Sequence, residues 1–470
     1  MRVPLGWLKE FVDVPGDAQS IAHRLGMLGF PVEAIDVRPA ISGVVLGKIV
    51  ELEKHPNADR LQVGRVDVGE AQPLTIATAA TNVAQGQIIA VARIGAQLPS
   101  MKIEPRKMRG IASEGMMISG EELALPGEWF EDGIMQFEAD RPLGTDLVAA
   151  FGLNEAVLDV EVTSNRVDAM SMIGIARELA ASYGLPLRLP SFENPGTAAE
   201  PSGEAPDVAL LSPDCRRFVA QRFDGVRVAP APAWMRIRLA LAGQRPIGNL
   251  VDVSNYVMLE TGQPLHFYDA ARIHGGKLFV RDGHPDEKAV TLDDVERTLD
   301  PQSLVIADDR QTLCLAGLMG AEAGEVRDET TAIVLEAANF NGARVRRMSQ
   351  ALGLRSEASS RHEKALAPAM TDIGAARAAQ LLVEIGATAY RPHAFGAALK
   401  AASAIELAPS EVARLLGMVL TPQRIAKHLE ALGCTVELRD NVLAVVAPAW
   451  RRDLVADVDL VEEVARMEGY

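Results

Sequence analysis

Four carboxylates near the end of the sequence have the residue type and spacing that could bind a metal ion. They are Asp453, Asp459, Glu462 and Glu463, in the segment DLVADVDLVEEVARMEGY. If this segment is helical from Ala456, Asp459 and Glu463 share a face at spacing i, i+4, and oxygen ligands of this kind suit Mg²⁺. On spacing alone, an acidic solvated helix that pairs with neighbouring arginines is the stronger interpretation.

A histidine and a glutamate in apolar surroundings could take part in hydrolysis or substrate recognition. His266 follows a proline–leucine pair in SNYVMLETGQPLHFYDA, and the chain has only 8 histidines. A lone histidine in such a place is more often packed and bonded to the backbone than catalytic. Glu336 lies in the predicted strand VLEAANF, where a buried carboxylate is costly without a partner; an exposed strand face is the alternative. No order or spacing predicts a Ser–His–Asp triad.

The chain is acidic overall but carries two basic clusters. With a net charge of -16, its surface as a whole is unsuited to nucleic acid. However, KIEPRKMRG concentrates Lys102, Arg106, Lys107 and Arg109, and residues 341–364 hold six Lys/Arg against two Glu. Such clusters could bind phosphates, whereas a single basic cluster is more often a solvated helix face.

Length and composition limit the class of protein. A chain of 470 residues suggests about three domains. No run of ~18 apolar residues predicts a membrane span, and the charged start MRVPLGWLKE is not typical of a secretory signal. The three cysteines, Cys215, Cys314 and Cys434, are far apart and lack metal-ligand spacing. Together these features favour a reducing, cytoplasmic setting.

The pattern of apolar residues predicts an α+β, multidomain architecture. Two amphipathic helices occupy residues 3–37, and alternating segments with Gly and Pro turns from Gly43 onwards predict a small β-barrel. A helix that ends at Gly184 rejoins the first two helices, which makes the barrel an insert in a helical framework. The stretch 190–207 is a linker rich in Pro, Gly, Ser and Glu. Mixed strands and helices follow, including a helix that begins at Pro232.

Several motifs together are similar to those of one protein family. HPNADRLQV, followed by TNVAQGQIIAVARIGAQLP and MRGIASEGMMIS, is similar to the tRNA-binding barrel of several tRNA synthetases. The chain then contains, in order, TSNRVDAMSMIGIAREL, NLVDVSNYVMLETGQPLHFYD, LAGLMG, LEAANF, LRSEASSRHEK and RRDLVADVDLVEEVARMEGY. This series resembles the beta subunit of bacterial phenylalanine–tRNA ligase, and the resemblance covers essentially the whole chain.

Two features depart from the pattern of this family. The family's beta subunit continues into a degenerate synthetase-like domain and a C-terminal anticodon-binding domain, whereas this sequence stops at Tyr470. We therefore expect a fragment or a shortened form. In addition, the barrel has IATAATN where the family usually has a Cys-Gly-Ala turn.

The resemblance implies a fold for each predicted domain. A helical framework is interrupted by an OB-fold barrel that binds tRNA. A linker then leads to a mixed α/β editing domain and to a small α/β domain with an acidic, metal-binding helix. The expected bounds are 1–38 plus 151–190 for the framework, 39–150 for the OB-fold barrel, 191–207 for the linker, 208–400 for the editing domain and 401–470 for the small domain.

The resemblance also assigns roles to individual residues of a hydrolytic site. In the family, the stretch around His266 lines a pocket that hydrolyses tyrosine wrongly attached to the tRNA for phenylalanine. Glu336 would recognise the tyrosine hydroxyl. His266, Asn255 and Ser254 would hold the ester, the terminal ribose and a water. Gly317 in LAGLMG would permit close backbone approach, with a simple turn as the alternative.

Further residues are predicted to bind tRNA or metal. Lys102, Arg106, Lys107 and Arg109 could contact tRNA phosphates independently of base sequence. Arg245 could support the pocket or meet a tRNA phosphate. By the family pattern, the four carboxylates near the end of the chain bind a Mg²⁺ ion that is shared with the alpha subunit.

The implied function is that of a beta subunit in an alpha2beta2 heterotetramer in the cytoplasm. The alpha subunit of this class II synthetase binds ATP and joins phenylalanine to tRNA(Phe). The present chain binds no ATP and supplies tRNA binding and hydrolytic editing, without a membrane partner. Two alternatives are a non-catalytic tRNA-binding scaffold that has lost editing and a free-standing aminoacyl-tRNA deacylase. The shared-metal pattern speaks against the deacylase.

Overall fold

The computed structural model describes residues 1–130, 133–197, 207–399 and 402–469, in which helices and strands alternate along the chain. The helices are α1 (Leu5–Phe11), α2 (Ala18–Met27), α3 (Leu147–Phe151), α4 (Met172–Tyr183), α5 (Ala233–Leu241), α6 (Asn249–Thr261), α7 (Gly342–Leu352), α8 (Glu357–His362), α9 (Met370–Glu384), α10 (Pro409–Leu416), α11 (Pro422–Ala431) and α12 (Asp457–Glu468). The strands are β1 (Arg2–Pro4), β2 (Val32–Asp36), β3 (Ser42–Lys54), β4 (Gln62–Asp67), β5 (Leu74–Thr78), β6 (Ile88–Gln97), β7 (Arg106–Met108), β8 (Ile111–Ser113), β9 (Gly115–Met117), β10 (Gln136–Phe137), β11 (Val157–Val160), β12 (Asp207–Leu210), β13 (Cys215–Asp224), β14 (Leu265–Asp269), β15 (Lys277–Asp282), β16 (Lys288–Val290), β17 (Glu296–Thr298), β18 (Leu304–Ala307), β19 (Thr312–Leu315), β20 (Met319–Gly320), β21 (Ala332–Phe340), β22 (Thr388–Ala389), β23 (His393–Gly396), β24 (Ile405–Leu407), β25 (Thr435–Arg439) and β26 (Val442–Val446).

The chain folds as two units, and each unit is assembled from three stretches of sequence. The first unit comprises Met1–Glu10, Glu33–Val160 and Pro230–Ile247. The second comprises Phe11–Val32, Glu161–Ala229 and Gly248–Tyr470. Among the described helices, none is both long and apolar enough to cross a lipid bilayer.

The centre of the first unit is a curved sheet of the barrel type, as the alternating pattern predicts. Its strands lie in the order β10-β6-β3-β4-β5, and β9 also pairs with β6. Because β5 lies next to β9, which pairs with β6, the sheet curves back on itself and nearly closes the barrel. The long strand β3 forms hydrogen bonds with both β4 and β6, and it is covered on both faces, since Leu46 on one face and Ile49 on the other are fully buried.

Helix α5 confirms the helix predicted from Pro232, but it does not belong with the rest of the predicted domain 208–400. It starts directly after Pro232 and ends at Leu241, before Gly243, as expected for a helix with a proline at its start and a glycine just beyond its end. However, its residues Ile237 and Leu241 join the apolar core of the barrel unit. The segment 230–247 therefore does not fold with the rest of the predicted domain 208–400. Periodicity identifies an amphipathic helix but not the core that its apolar face will join.

The predicted helical framework, 1–38 plus 151–190, also differs from the structure. It contains a three-stranded sheet, β1-β11-β2, in addition to helices. Its helices are divided, since most of α1 lies in the first unit while α2 and α4 lie in the second. As predicted, α4 ends at Gly184, where φ is +64°, and it rejoins α2 through Arg24. The strands of three to five residues are too short for alternation to reveal them.

Two sheets of the second unit share one apolar core. The strands of one lie in the order β14-β21-β13-β22, with β23 also on β13, and those of the other in the order β12-β15-β18-β19-β20. Strand β21 is buried along almost its whole length, as expected for a central strand, and α9 packs against it. Apolar side chains such as Phe218, Val305 and Val334 fill the space that the two sheets share.

The end of the described chain forms a compact substructure in which a three-stranded sheet, β24-β26-β25, packs with three helices. Two of these helices are α10 and α11, and β25 and β26 form a hairpin. The segment 191–197 of the predicted linker contains one isolated bridge, from Thr197 to Tyr390. The rest of that linker, apart from residue 207, lies outside the described residues.

Candidate functional site

A small cavity in the second unit brings together three of the predicted hydrolytic-site residues. The cavity has a volume of about 80 Å³ and lies where β14, β21, the turn between β19 and β20, and α8 meet. His266, Glu336 and Gly317 line it, together with Cys314 and His362. We call it the editing cavity, after the role that the sequence predicts for these residues.

Glu336 is a buried carboxylate at the centre of this cavity. Strand register places it directly opposite His266 on β14, and the residue is 5% exposed. The Tyr268 hydroxyl donates a hydrogen bond to Oε2. Among the described residues, no group donates to Oε1. Burial raises the pKa of Glu336 to about 7, although the Tyr268 hydrogen bond acts in the opposite direction.

His266 is held in position by packing rather than by hydrogen bonds. Its ring meets the Tyr268 ring edge-on, with the centroids 4.7 Å apart. Its Nε2 atom is buried and has no hydrogen-bond partner in the described structure. Burial lowers the pKa of His266 to about 4, so the ring is neutral at neutral pH. Gly320 leaves the space for this ring, because a Cβ there would lie 2.4 Å from His266 Cε1.

Gly317 and His362 form the opposite wall of the editing cavity. The φ angle of Gly317 is +73°, and a Cβ at this position would lie 3.0 Å from Cδ2 of His362. The structure therefore shows both features considered for Gly317, a turn conformation and a close approach. Burial and the neighbouring charge of Arg361 lower the pKa of His362 to about 3, and its Nδ1 has no hydrogen-bond partner among the described residues.

Two predicted residues do not line the editing cavity. Ser254 and Asn255 lie in α6, and the Ser254 hydroxyl donates to the Val251 carbonyl at 2.7 Å. Helix α6 ends at Thr261, and His266 follows in strand β14. Although they are close in sequence, Ser254 and Asn255 are separated from His266 because a turn lies between α6 and β14. Arg245 is exposed and belongs to the first unit, whereas the cavity belongs to the second.

Sequence reasoning missed three residues of this site. Tyr268, His362 and Cys314 were not singled out for it, yet they pack around Glu336 and His266. A signal existed for Tyr268, since it follows His266 by two residues and so shares its strand face. Cys314 is not a candidate nucleophile, because burial and the charge of Glu336 raise the pKa of its thiol.

The geometry of the editing cavity suits recognition of a hydroxyl group. It presents a carboxylate oxygen, Glu336 Oε1, to which no described residue donates, and a neutral imidazole nitrogen that has no partner in the described part of the chain. Its volume is about half that of an engineered cavity of roughly 150 Å³ that holds benzene. An aromatic ring can therefore enter only when the lining side chains move apart.

Three of the four carboxylates predicted to bind Mg²⁺ have other partners in this structure. Arg451 donates to Asp453 Oδ1 at 2.9 Å and to Glu463 Oε2 at 2.8 Å. Asp459 accepts from two backbone N–H groups before α12 and so caps that helix, while Glu462 is exposed. Burial alone would raise the pKa of Glu463, but its arginine partners outweigh burial and lower it to about 2.

Asp453 and Glu463 belong to a larger buried group of charges that alternate in sign. Arg466 donates to Glu178 Oε2 at 2.8 Å and to Glu463, and Arg166 pairs with both Glu178 and Asp168. We call these seven residues the buried charge cluster: Arg166, Asp168, Glu178, Arg451, Asp453, Glu463 and Arg466.

This arrangement does not fit a metal site. Within the described residues, no group of three or more His, Cys, Asp or Glu side chains could hold a metal ion. Arginines already neutralise two of the four predicted ligands. The Mg²⁺ ion shared with an alpha subunit stays a prediction, and no step below depends on it.

The predicted phosphate-binding residues lie on the barrel of the first unit. Lys102, Arg106, Lys107 and Arg109 are all exposed, and within the described residues none of them forms an ion pair. Lys102 and Arg106 line a cavity of about 720 Å³, whose walls also include several methionines. Exposed, unpaired cations beside an open cavity are a suitable surface for a polyanion.

Comparisons with known proteins match three stretches of this chain to family models. Family models match as "Putative tRNA binding domain" over residues 44–146, "B3/4 domain" over 214–387 and "tRNA synthetase B5 domain" over 405–470. The phenylalanine–tRNA ligase beta subunit of Moorella thermoacetica is 42% identical over 100% of this chain and 59% of its own length. That of Gloeobacter violaceus is also 42% identical, over 100% of this chain and 60% of its own length.

The chain belongs to the family of phenylalanine–tRNA ligase beta subunits. This result confirms the resemblance seen in the sequence motifs. The chain spans about 60% of the length of the curated relatives it matches. A solved N-terminal fragment of the Pyrococcus horikoshii phenylalanyl-tRNA synthetase beta subunit aligns with 67% of this chain and 88% of its own, at 16% identity. Its TM-score of 0.37 is too low to support an argument about the fold.

Proposed function

We propose that this chain binds tRNA(Phe) and hydrolyses tyrosine wrongly esterified to it, as the beta subunit of phenylalanine–tRNA ligase. One observation carries the proposal. Glu336 is buried in the editing cavity with one oxygen occupied by Tyr268, while no described group donates to the other. A buried carboxylate is costly unless its hydrogen-bonding capacity is used, and a phenolic hydroxyl would use it.

The error to be corrected is a single hydroxyl group. Tyrosine differs from phenylalanine only by this group, and an apolar synthetic site rejects an added hydroxyl by only about a hundredfold. A second site that pairs the hydroxyl favours the wrong product. Leaving Glu336 Oε1 unpaired when phenylalanine binds would cost about 1–3 kcal/mol, which is a preference of roughly 5- to 150-fold for the tyrosyl ester.

Hydrolysis requires a water molecule beside the ester. The water oxygen attacks the ester carbonyl carbon, the bond to the ribose oxygen breaks, and that oxygen receives a proton. The unpaired Nε2 of neutral His266 can accept a hydrogen bond from the water or from a ribose hydroxyl. Positioning of this kind can supply much of the rate without a covalent intermediate. A thiol whose pKa is raised by burial, such as Cys314, is a poor alternative nucleophile.

The barrel would supply affinity for tRNA. Lys102, Arg106, Lys107 and Arg109 are exposed cations that can neutralise phosphates without reading bases. Arg245, also exposed, would add to this affinity. In the proposed assembly an alpha subunit binds ATP and Mg²⁺ and carries out aminoacylation in an alpha2beta2 heterotetramer in the cytoplasm. The name of the relatives, beta subunit, supports the existence of such a partner.

The test is hydrolysis of Tyr-tRNA(Phe) and Phe-tRNA(Phe) by the chain, alone and mixed with an alpha subunit. Glu336→Ala and His266→Ala are the site variants, and Glu430→Ala, at an exposed position on α11, is the control. We expect preferential cleavage of the tyrosyl ester, loss of the preference in Glu336→Ala and a lower rate in His266→Ala.

Two outcomes would contradict the proposal. If Glu336→Ala keeps the preference for the tyrosyl ester, Glu336 does not recognise the hydroxyl. If neither ester is cleaved by the folded chain, alone or with the alpha subunit, the chain is a tRNA-binding scaffold rather than an editing subunit.

A further inference from the structure

A second cavity in the same unit carries several positive charges. Its volume is about 320 Å³, and we call it the basic cavity. Arg346, Arg355 and Lys364 line it together with one acidic residue, Glu363. The polar side chains of Ser164, Ser349 and Gln350 complete the wall. Three separate segments of the chain thus converge on a concave surface with a formal excess of two positive charges.

The two arginines of the basic cavity are available to bind an anion. Arg346 is exposed on α7 and forms no ion pair with any described residue. The Arg355 side chain is 74% exposed and approaches Glu363 only at 3.4 Å. In contrast, Arg344 on the same helix is held by Asp282 at 3.0 Å and by the Pro301 carbonyl at 2.7 Å. On α7, Arg344 is therefore engaged by other residues of the unit, whereas Arg346 remains available at the cavity.

Lys364 adds a charge with a fixed position. Its Nζ donates to the Val162 carbonyl at 2.9 Å, which holds the side chain at the cavity wall. Burial lowers the pKa of Lys364, and the neighbouring Arg355 and Arg361 lower it further, while Glu363 acts in the opposite direction. A bound anion would relieve this repulsion between cations.

Helix α8, which lines the editing cavity, is flanked at both ends by residues that line the basic cavity. Ala358 and His362, one turn apart on α8, line the editing cavity. Arg355 comes just before the helix, and Lys364 just after it, in the basic cavity. Because neighbouring Cα atoms are only about 3.8 Å apart, the cavity walls meet within one or two residues. A nucleic acid with its esterified end in one cavity would continue directly past the other.

We propose that the basic cavity binds a backbone phosphate of the tRNA acceptor end and so positions the terminal ester in the editing cavity. The guanidinium groups of Arg346 and Arg355 can each form paired hydrogen bonds with phosphate oxygens. Lys364 supplies a third charge, and Ser164 and Gln350 supply neutral donors. Arg355 would exchange its weak contact with Glu363 for the phosphate. The inference rests on the proposed function, since it assigns the editing substrate a second point of attachment.

Binding and hydrolysis measured separately will test this proposal. The ligands are tRNA(Phe) and a short single-stranded RNA with the same 3′ sequence, and the variant is Arg346→Gln/Arg355→Gln. The control is Arg347→Gln, which removes one positive charge, against two in the double variant, from an exposed position on α7 that does not line the cavity. We expect the double variant to bind the short RNA roughly tenfold more weakly. For the double variant, the slope of log K against log salt concentration should be shallower by about 0.7 for each phosphate that the variant no longer neutralises.

The hydrolysis assay uses Tyr-tRNA(Phe) and the small ester 3′-O-tyrosyl-adenosine, which has no upstream phosphate. The double variant should raise KM for Tyr-tRNA(Phe) roughly tenfold and leave cleavage of the small ester unchanged. The Arg347→Gln control should change neither. A merely structural role for the two arginines would impair both substrates equally.

The results distinguish failure of this inference from failure of the proposed function. If the double variant and the control bind the short RNA equally well, the basic cavity is a solvated helix face and the inference is wrong, even when editing is active. If neither ester is cleaved by any variant but RNA binding falls only in the double variant, the phosphate site stands and the editing function does not.

Discussion

Glu336→Gln should stabilise the second unit, and the gain should grow with pH. The folded-state pKa of about 7 lies above the unfolded value of 4.5, so the folded state binds the proton more tightly. The contribution of Glu336 to the free energy of unfolding therefore decreases as pH rises from about 4.5, and the loss is complete above about 7. Each tenfold change in the ionisation equilibrium is worth about 1.4 kcal/mol. The carboxylate thus costs about 1.4 kcal/mol at pH 5.5 and about 3.4 kcal/mol at pH 8.5.

Glutamine removes this cost because it cannot ionise, and its carbonyl can still accept the hydrogen bond of Tyr268. The gain from Glu336→Gln should therefore increase by about 2 kcal/mol between pH 5.5 and pH 8.5. Hydrogen exchange in peptides that contain β21, corrected for the intrinsic exchange rate, measures the free energy of opening at this strand. Glu430→Gln, on the exposed face of α11, should change it by less than about 0.5 kcal/mol. An equal gain for Glu336→Gln at both pH values would refute the reasoning.

Three further predictions concern a histidine, two glycines and an arginine. Because burial lowers the pKa of His266 to about 4, the contribution of His266 to stability should decrease as pH falls from 6.5 towards 4, in the opposite direction to that of Glu336. The difference in thermal stability between His266→Gln and the unaltered chain should therefore shift in favour of the variant from pH 7 to pH 5, and an unchanged difference would contradict this. Gly317→Ala and Gly417→Ala, at φ +73° and +71°, should each cost about 1–2 kcal/mol in thermal unfolding, but only Gly317→Ala should reduce Tyr-tRNA hydrolysis. Arg451→Met should lower stability by about 3–5 kcal/mol in urea unfolding, since it leaves Asp453 without its arginine and Glu463 with Arg466 alone; a loss below about 1 kcal/mol would show that these ion pairs are not essential.

Much of the local structure could be predicted from the sequence because short-range chemistry determines it. Pro232 and Gly243 mark the ends of α5, and Gly184 ends α4, since proline and glycine have conformations that suit these positions. The alternating pattern from Gly43 onwards correctly predicts a barrel-like sheet. The domain to which α5 belongs could not be predicted, because that depends on contacts between distant segments.

For the candidate site, too, the sequence identifies individual residues but not the contacts between distant segments. Glu336 and His266 were identified, yet their direct opposition depends on the register of β14 against β21, and Tyr268 is 68 residues away from Glu336 in sequence. The carboxylates Asp453 and Glu463 have the spacing of metal ligands. The structure pairs both with Arg451, because a buried carboxylate takes the nearest cation that the fold provides. Spacing along one helix does not reveal that partner.

The buried charge cluster also bears on the order in which parts of the chain can fold during synthesis. Arg466 donates to Glu178, 288 residues earlier, and to the carbonyl of Leu28, 438 residues earlier. At a synthesis rate of about 5–20 residues per second, Glu178 leaves the ribosome roughly 15–60 s before its later partner exists. Until then Arg166 is its available cation, and closing the region around α4 would bury an incompletely neutralised carboxylate. We therefore expect the nascent chain to keep this region hydrated until Arg466 has been made, so that a segment that is synthesised early completes its folding late.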